Sequence, residues 1–126
     1  MSSRKPKYHM QSIAMRVSRM EAMLAFYTEA FGIEFREVIT GPFKSQFGEL
    51  DGLTLKFVPI RDEVNFDGYA VHQMGLSVPD LEQVISLATQ HGGRQEGEII
   101  VNENGAHAAV RDPDGNTIEL YSKKVG

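Results

Sequence analysis

Residues 11–17 alternate along the chain. Gln11, Ile13, Met15 and Val17 fall on one side and Ser12, Ala14 and Arg16 on the other, the period of two that a half-buried strand requires. The period then changes. Met20, Met23, Leu24, Tyr27 and Phe31 recur at three- and four-residue spacing, which predicts an amphipathic helix with its core stripe on those residues. Ser18 with Glu21 has the form of a capping box at its start, and Gly32 supplies a left-handed stop. Alternating segments at 34–40, 43–50 and 53–59 predict three more strands, with Asp51-Gly52 between the last two as a hairpin turn.

The same order returns in the second half. Residues 72–78 alternate as Met74, Leu76 and Val78 against Gln73, Gly75 and Ser77, and Leu81, Val84, Ile85 and Ala88 form a helical stripe that ends at Gly92 and Gly93. Strands are predicted over 95–102, 106–111 and 116–122, with Asp112-Pro113-Asp114-Gly115 as the last turn. The offset between halves is constant, since 78 − 17, 81 − 20, 84 − 23, 85 − 24 and 93 − 32 all equal 61. A fixed period marks an internal repeat. Each half reads βαβββ, so the expected fold is α+β: one domain over residues 1–126, with module one at about 10–60, a polar linker at about 61–70 and module two at about 71–123.

Composition narrows the function classes. The chain has 126 residues with no cysteine, which excludes a disulfide framework, a thiolate nucleophile and a zinc ribbon, and fits a cytoplasmic protein held by its core. Thirteen Lys and Arg against seventeen Asp and Glu give a net charge of −4. The basic residues are scattered apart from Arg4, Lys5 and Lys7 and a Lys123/Lys124 pair, so nothing tracks a phosphate backbone and no nucleic-acid partner is expected. Apolar stretches are far too short for a membrane span, and no membrane partner is expected.

Four segments carry a family resemblance: Ile13-Ala-Met-Arg-Val-Ser, Leu24-Ala-Phe-Tyr-Thr-Glu-Ala-Phe-Gly, Gly75-Leu-Ser-Val-Pro-Asp-Leu and Arg111-Asp-Pro-Asp-Gly-Asn-Thr-Ile-Glu-Leu. In these the chain resembles the vicinal oxygen chelate superfamily, which holds glyoxalase I, bleomycin-resistance proteins, fosfomycin-resistance enzymes, methylmalonyl-CoA epimerases and extradiol dioxygenases. The resemblance implies two βαβββ modules curled into a cupped mixed sheet. It also implies a divalent metal in the cup, held by four side chains from the first and last strands of each module. Carried over position by position, these are Ser12, Lys56, Gln73 and Glu119, where the usual occupants are His or Gln, Glu or His, His, and Glu. The resemblance fixes the fold far better than the activity, because unrelated chemistries share this scaffold.

Alternation supports the same four positions independently. Ser12, Lys56, Gln73 and Glu119 belong to the polar sides of strands whose other sides are apolar, and those polar sides line either a cavity or a wet sheet face. Ser12 is a poor ligand and Lys56 is a cation, and an ammonium opposes a divalent ion at short range, so the expectation is no metal cofactor. Lys56 would then stand where the metal would, paired with Glu119, with a divalent metal as the alternative and a purely structural ion pair as the plain reading.

His107 shares a side with Ala109 and Arg111 and is a candidate acid/base or anion contact, against a solvent-facing histidine. His72 reaches the cup in place of Gln73 only through a bulge or a one-residue slip, while His91 and His9 receive no role. Glu119, Lys56 and His107 are thus the candidate catalytic residues, and Ser12, Gln73, Arg16 and Tyr121 the candidate ligand-binding ones. Three functions compete: binding a small polar molecule without a metal, a glyoxalase-like lyase or isomerase or a dioxygenase-type enzyme, and a scaffold with a filled cup. Sheet edges and apolar rims left by a cup of this size predict a homodimer.

Overall fold

The computed structural model describes residues 10–60 and 72–123. Module one runs β1 (Ser12–Val17), α1 (Met20–Phe31), β2 (Phe35–Thr40), β3 (Phe43–Leu50) and β4 (Leu53–Pro59). Module two runs β5 (Gln73–Ser77), α2 (Leu81–Gln90), β6 (Arg94–Asn102), β7 (Gly105–Arg111) and β8 (Thr117–Lys123). The strands form two four-stranded sheets of the same topology, β1-β4-β3-β2 and β5-β8-β7-β6, with the first pair parallel and the others antiparallel in each. The fold is α+β with two βαβββ modules, as the repeat predicts. The segment expected as a linker lies outside the described residues apart from its preceding Ile60, as do His9 and the basic residues at both ends except Lys123.

Local chemistry sets the boundaries. Asp51 and Gly52 both take positive φ, 53° and 78°, and Leu50 pairs with Leu53 across them. That is a two-residue turn of the primed kind, whose twist matches the flanking strands. Helix α1 ends at Gly32 in left-handed geometry, as the sequence predicts. Its start differs from expectation. The N-cap is Arg19 with no side-chain cap, and Ser18 binds Asp114 instead: its amide donates to Oδ2 at 2.8 Å and its hydroxyl to Oδ1 at 2.9 Å. The capping box does not form because a carboxylate from the other module takes Ser18 as a donor. Helix α2 is capped by Asp80, whose side chain accepts from the Gln83 amide at 3.1 Å.

One hydrophobic core joins the modules. Met15, Val17, Leu55 and Phe57 of the first sheet and Ala108, Val110, Ile118 and Leu120 of the second are buried with Met23, Phe26, Tyr27, Leu81, Ile85 and Ala88 of the helices. Of the predicted stripe of α1, Met23 and Tyr27 are buried, and Phe26 and Ala30 are buried beside them. Tyr27 packs edge-on against Phe57 of its own sheet, with ring centroids 5.2 Å apart, whereas Phe26, outside the stripe and fully buried, turns toward module two. A methyl group at Gly93 would collide with the Phe26 ring and the Arg111 carbonyl, so the absence of a side chain there admits the helix.

Polar groups complete the junction. The Tyr27 hydroxyl donates to Asp112 Oδ2 at 2.7 Å, and Asp112, 1% exposed, also accepts from the Asn116 side chain and from the backbone amides of Asp114 and Asn116. The turn between β7 and β8 is therefore organised around a carboxylate that also anchors α1. Burial, the negative charge of Asp112 and the hydrogen bond to it push the Tyr27 phenol far above its ordinary pKa. No described helix is long and apolar enough to cross a membrane.

Candidate functional site

Strand register decides what each polar face presents. In sheet two, Gly75 pairs with Glu119, Glu119 with Ala109, and Ala109 with Glu96, so these four residues form one row across β5, β8, β7 and β6. Two residues along the same face, Ser77, Tyr121 and His107 form a second row. Gln73 belongs to this face: its Nε2 donates to Glu119 Oε1 at 2.6 Å, and the Tyr121 hydroxyl donates to Oε2. His72 precedes the strand, fixed through its backbone to Asn116 and Thr117, so the ambiguity between His72 and Gln73 ends with Gln73 beside Glu119.

Both carboxylate oxygens of Glu119 are thus occupied by donors. The bond from Tyr121 raises that phenol's pKa above the usual tyrosine value, because losing its proton would place two anions together. The Tyr121 ring stands over Gly75, where a Cβ would lie 3.3 Å away, and its centroid is 6.0 Å from that of His107. Tyr121 and His107 border a shallow recess of about 280 Å³ shared with Ser77, Asn102, Asn104 and Lys123. Arg111, on the same face, is paired with Glu96 and donates to the Gly115 carbonyl at 3.0 Å.

The matching row of sheet one has opposite character. Ala14 pairs with Lys56, Lys56 with Phe47, and Phe47 with Arg36, across β1, β4, β3 and β2. The Lys56 ammonium lies 5.0 Å from the Phe47 ring centroid and the Arg36 guanidinium 5.5 Å from it, so both cations engage one ring. Strand for strand, Ala14 corresponds to Gly75, Lys56 to Glu119, Phe47 to Ala109 and Arg36 to Glu96. Ser12 and Arg16 lie on the same face as Lys56, Ser12 half-buried and Arg16 exposed.

The expected ion pair between Lys56 and Glu119 does not form within the chain: Lys56 is engaged with Phe47 and Glu119 with Gln73 and Tyr121. The reason is architectural. The helix-side faces of both sheets feed the shared core, which leaves each polar face on the outside of it. A cavity of about 330 Å³ between the modules is lined mainly by apolar groups of the helix side, among them Ile13, Leu53, Leu55, Met74 and Leu76, and of the sequence-predicted site residues only Gln73 borders it, beside His72 and Gly75. Alternation sorts residues by face, but it carries no information on which faces meet. It also passed over Phe47 and Arg36, which only cross-strand register brings to Lys56.

The donors at the four positions of the resemblance do not fit a divalent metal. They comprise a hydroxyl, an ammonium, an amide and a single carboxylate whose oxygens already accept hydrogen bonds. Among the described residues no group of three or more His, Cys, Asp or Glu is placed to hold one.

Comparison with known proteins agrees with the architecture. No curated protein matches the sequence. A glyoxalase-related enzyme from Fulvimarina pelagi superposes with a TM-score of 0.70 at 19% identity, covering 94% of this chain and 92% of that one. A glyoxalase/bleomycin resistance protein from Albidiferax ferrireducens T118 gives 0.65 at 20% identity over 90% and 98%, and a glyoxalase/bleomycin resistance protein/dioxygenase family enzyme from Burkholderia phytofirmans PsJN 0.66 at 16% over 90% and 98%. At such identities the likeness is one of fold. The family model of the Glyoxalase/Bleomycin resistance protein/Dioxygenase superfamily matches residues 9–120, nearly the whole chain, and the protein belongs to that superfamily.

Proposed function

We propose that this protein binds a small polar molecule between the polar faces of its two kinds of module, without a divalent metal, and that a second copy of the chain completes the cup in a homodimer. The observation that carries the reading is the hydrogen-bonded chain of Gln73, Glu119 and Tyr121 on an open sheet face, with Tyr121 45% exposed. Convergent polar groups of this kind are what a ligand site needs. The cationic row of sheet one supplies the complementary half: Lys56 brings the positive charge that a metal would bring, and among the described residues no carboxylate pairs with it, which leaves it open to one from another chain. Lack of cysteine supports a cytoplasmic setting.

An enzymatic reading has one observation in its favour. Glu119 accepts from Gln73 and from Tyr121, whose ring neighbours His107, and in this reading it would carry a proton for a lyase or isomerase while Lys56 stabilises a developing enolate oxygen. The test separates these readings from each other and from a scaffold with a filled cup. Thermal shift of purified protein is run against a panel of small polar metabolites, once with chelator and once with added Zn, Ni, Fe or Mn. The binding reading expects a ligand to raise Tm equally in both arms. Stabilisation that needs the metal, or elemental analysis finding about one such ion per chain, overturns it. Turnover of the stabilising ligand, lost in Glu119→Gln, decides for the enzyme, and no stabilisation by any compound decides for the scaffold.

A further inference from the structure

The two polar rows are unequal in charge, and the imbalance specifies a ligand. Row one carries Lys56 and Arg36; row two carries Glu119 and Glu96. Glu96 is already paired with Arg111. If the rows meet in a cup, two cations face the one negative charge that is not ion-paired, that of Glu119 with its neutral donors, leaving one positive charge over.

Sheet one does not neutralise that charge itself. Among the described residues neither Lys56 nor Arg36 has a carboxylate within ion-pair distance. Glu49, on their face and two residues from Phe47, is turned to Thr54, whose hydroxyl donates to it at 2.8 Å. Phe47 holds both cations against one ring, which fixes them without cancelling their charge. Two cations held on one row without a carboxylate gain by taking an anion, and an ammonium or a guanidinium suits the oxygens of a carboxylate. Room exists on the same row: Ala14, next to Lys56, is small and exposed, and row two carries only Ala109 in the place of Phe47.

We infer that the ligand is a small monocarboxylate whose carboxylate binds at the Lys56–Phe47–Arg36 row. The inference rests on the proposed cup and names the chemistry of what it takes. Three probes of equal size test it: benzoate, benzamide and benzylammonium, titrated into the full chain at low salt and followed by NMR at Phe47 and its neighbours. Benzoate should bind at least about tenfold tighter than benzamide, as a charge-assisted contact requires, and weaken as salt screens it. Lys56→Met and Arg36→Met should each weaken benzoate at least about fivefold, with Lys56→Arg, which keeps the charge, retaining more of the affinity than Lys56→Met. Equal binding of benzamide, unchanged affinity in both Met variants, or no response to benzoate at Phe47 overturns the inference. Probe binding confined to Glu119 and Tyr121 would leave the cup standing while removing its carboxylate, whereas silence of both faces would remove both.

Discussion

Tyr27 and Tyr121 each donate to a carboxylate, and their surroundings give the two bonds different weight. Tyr27 is fully buried against Asp112, so Tyr27→Phe leaves that carboxylate short of a donor and should cost about 1–3 kcal/mol in urea denaturation. The pH dependence has a definite sign. A phenol whose folded pKa is raised stabilises in full below the ordinary tyrosine value of about 10 and loses that contribution as pH climbs toward the folded value. The stability gap between wild type and Tyr27→Phe should therefore narrow above about pH 10. A gap that widens there would contradict the account. Tyr121 is open to solvent, so its bond to Glu119 is a matter of site chemistry more than of stability. In Glu119→Gln the Tyr121 phenol should titrate lower than in wild type, followed by ultraviolet absorbance or ring NMR shifts, and an unchanged titration would show that Glu119 does not hold it.

At the level of elements, hydrophobic period was enough for every strand and both helices, because each has one face in the core and one outside it. Ends moved by a residue, as with Phe35 for 34 and Arg94 for 95, since pairing rather than polarity sets where a strand stops. The period did not give the whole buried face of α1. A stripe drawn for one sheet omits Phe26, because the helix is buried on a second side against another module, and a helix with two neighbours has no single stripe. The same junction explains Ser18, whose partner lies 96 residues away and is invisible to any local rule. Gly93→Ala probes it directly. Its methyl group has no space beside Phe26 and the Arg111 carbonyl, so the variant should lose about 1–3 kcal/mol or more by overpacking, with a lower urea midpoint at unchanged slope. Full stability in that variant would mean that the modules are not packed as described.

Across the whole molecule, a duplicated fold carries complementary rather than duplicated chemistry. Lys56 stands where the repeat places Glu119, Arg36 where it places Glu96, and Phe47 where it places Ala109. Each difference was written in the sequence, yet only register shows that they fall in one row. A cationic row and an acidic row on outward faces of one chain give a second copy two equivalent places to pair, as a two-fold axis requires. Sedimentation at micromolar concentration should accordingly find a dimer, and a monomer would count against the shared cup.

The chain has no cysteine, so single thiols can be placed at will. The most direct measurement of the central claim mixes Lys56→Cys with Glu119→Cys, each also treated alone, with a short bismaleimide, and resolves the products on a denaturing gel. The account predicts a covalent dimer when the two variants are mixed and little from either by itself. Failure of the mixture to cross-link, or cross-linking confined within single chains of the double variant, would contradict it.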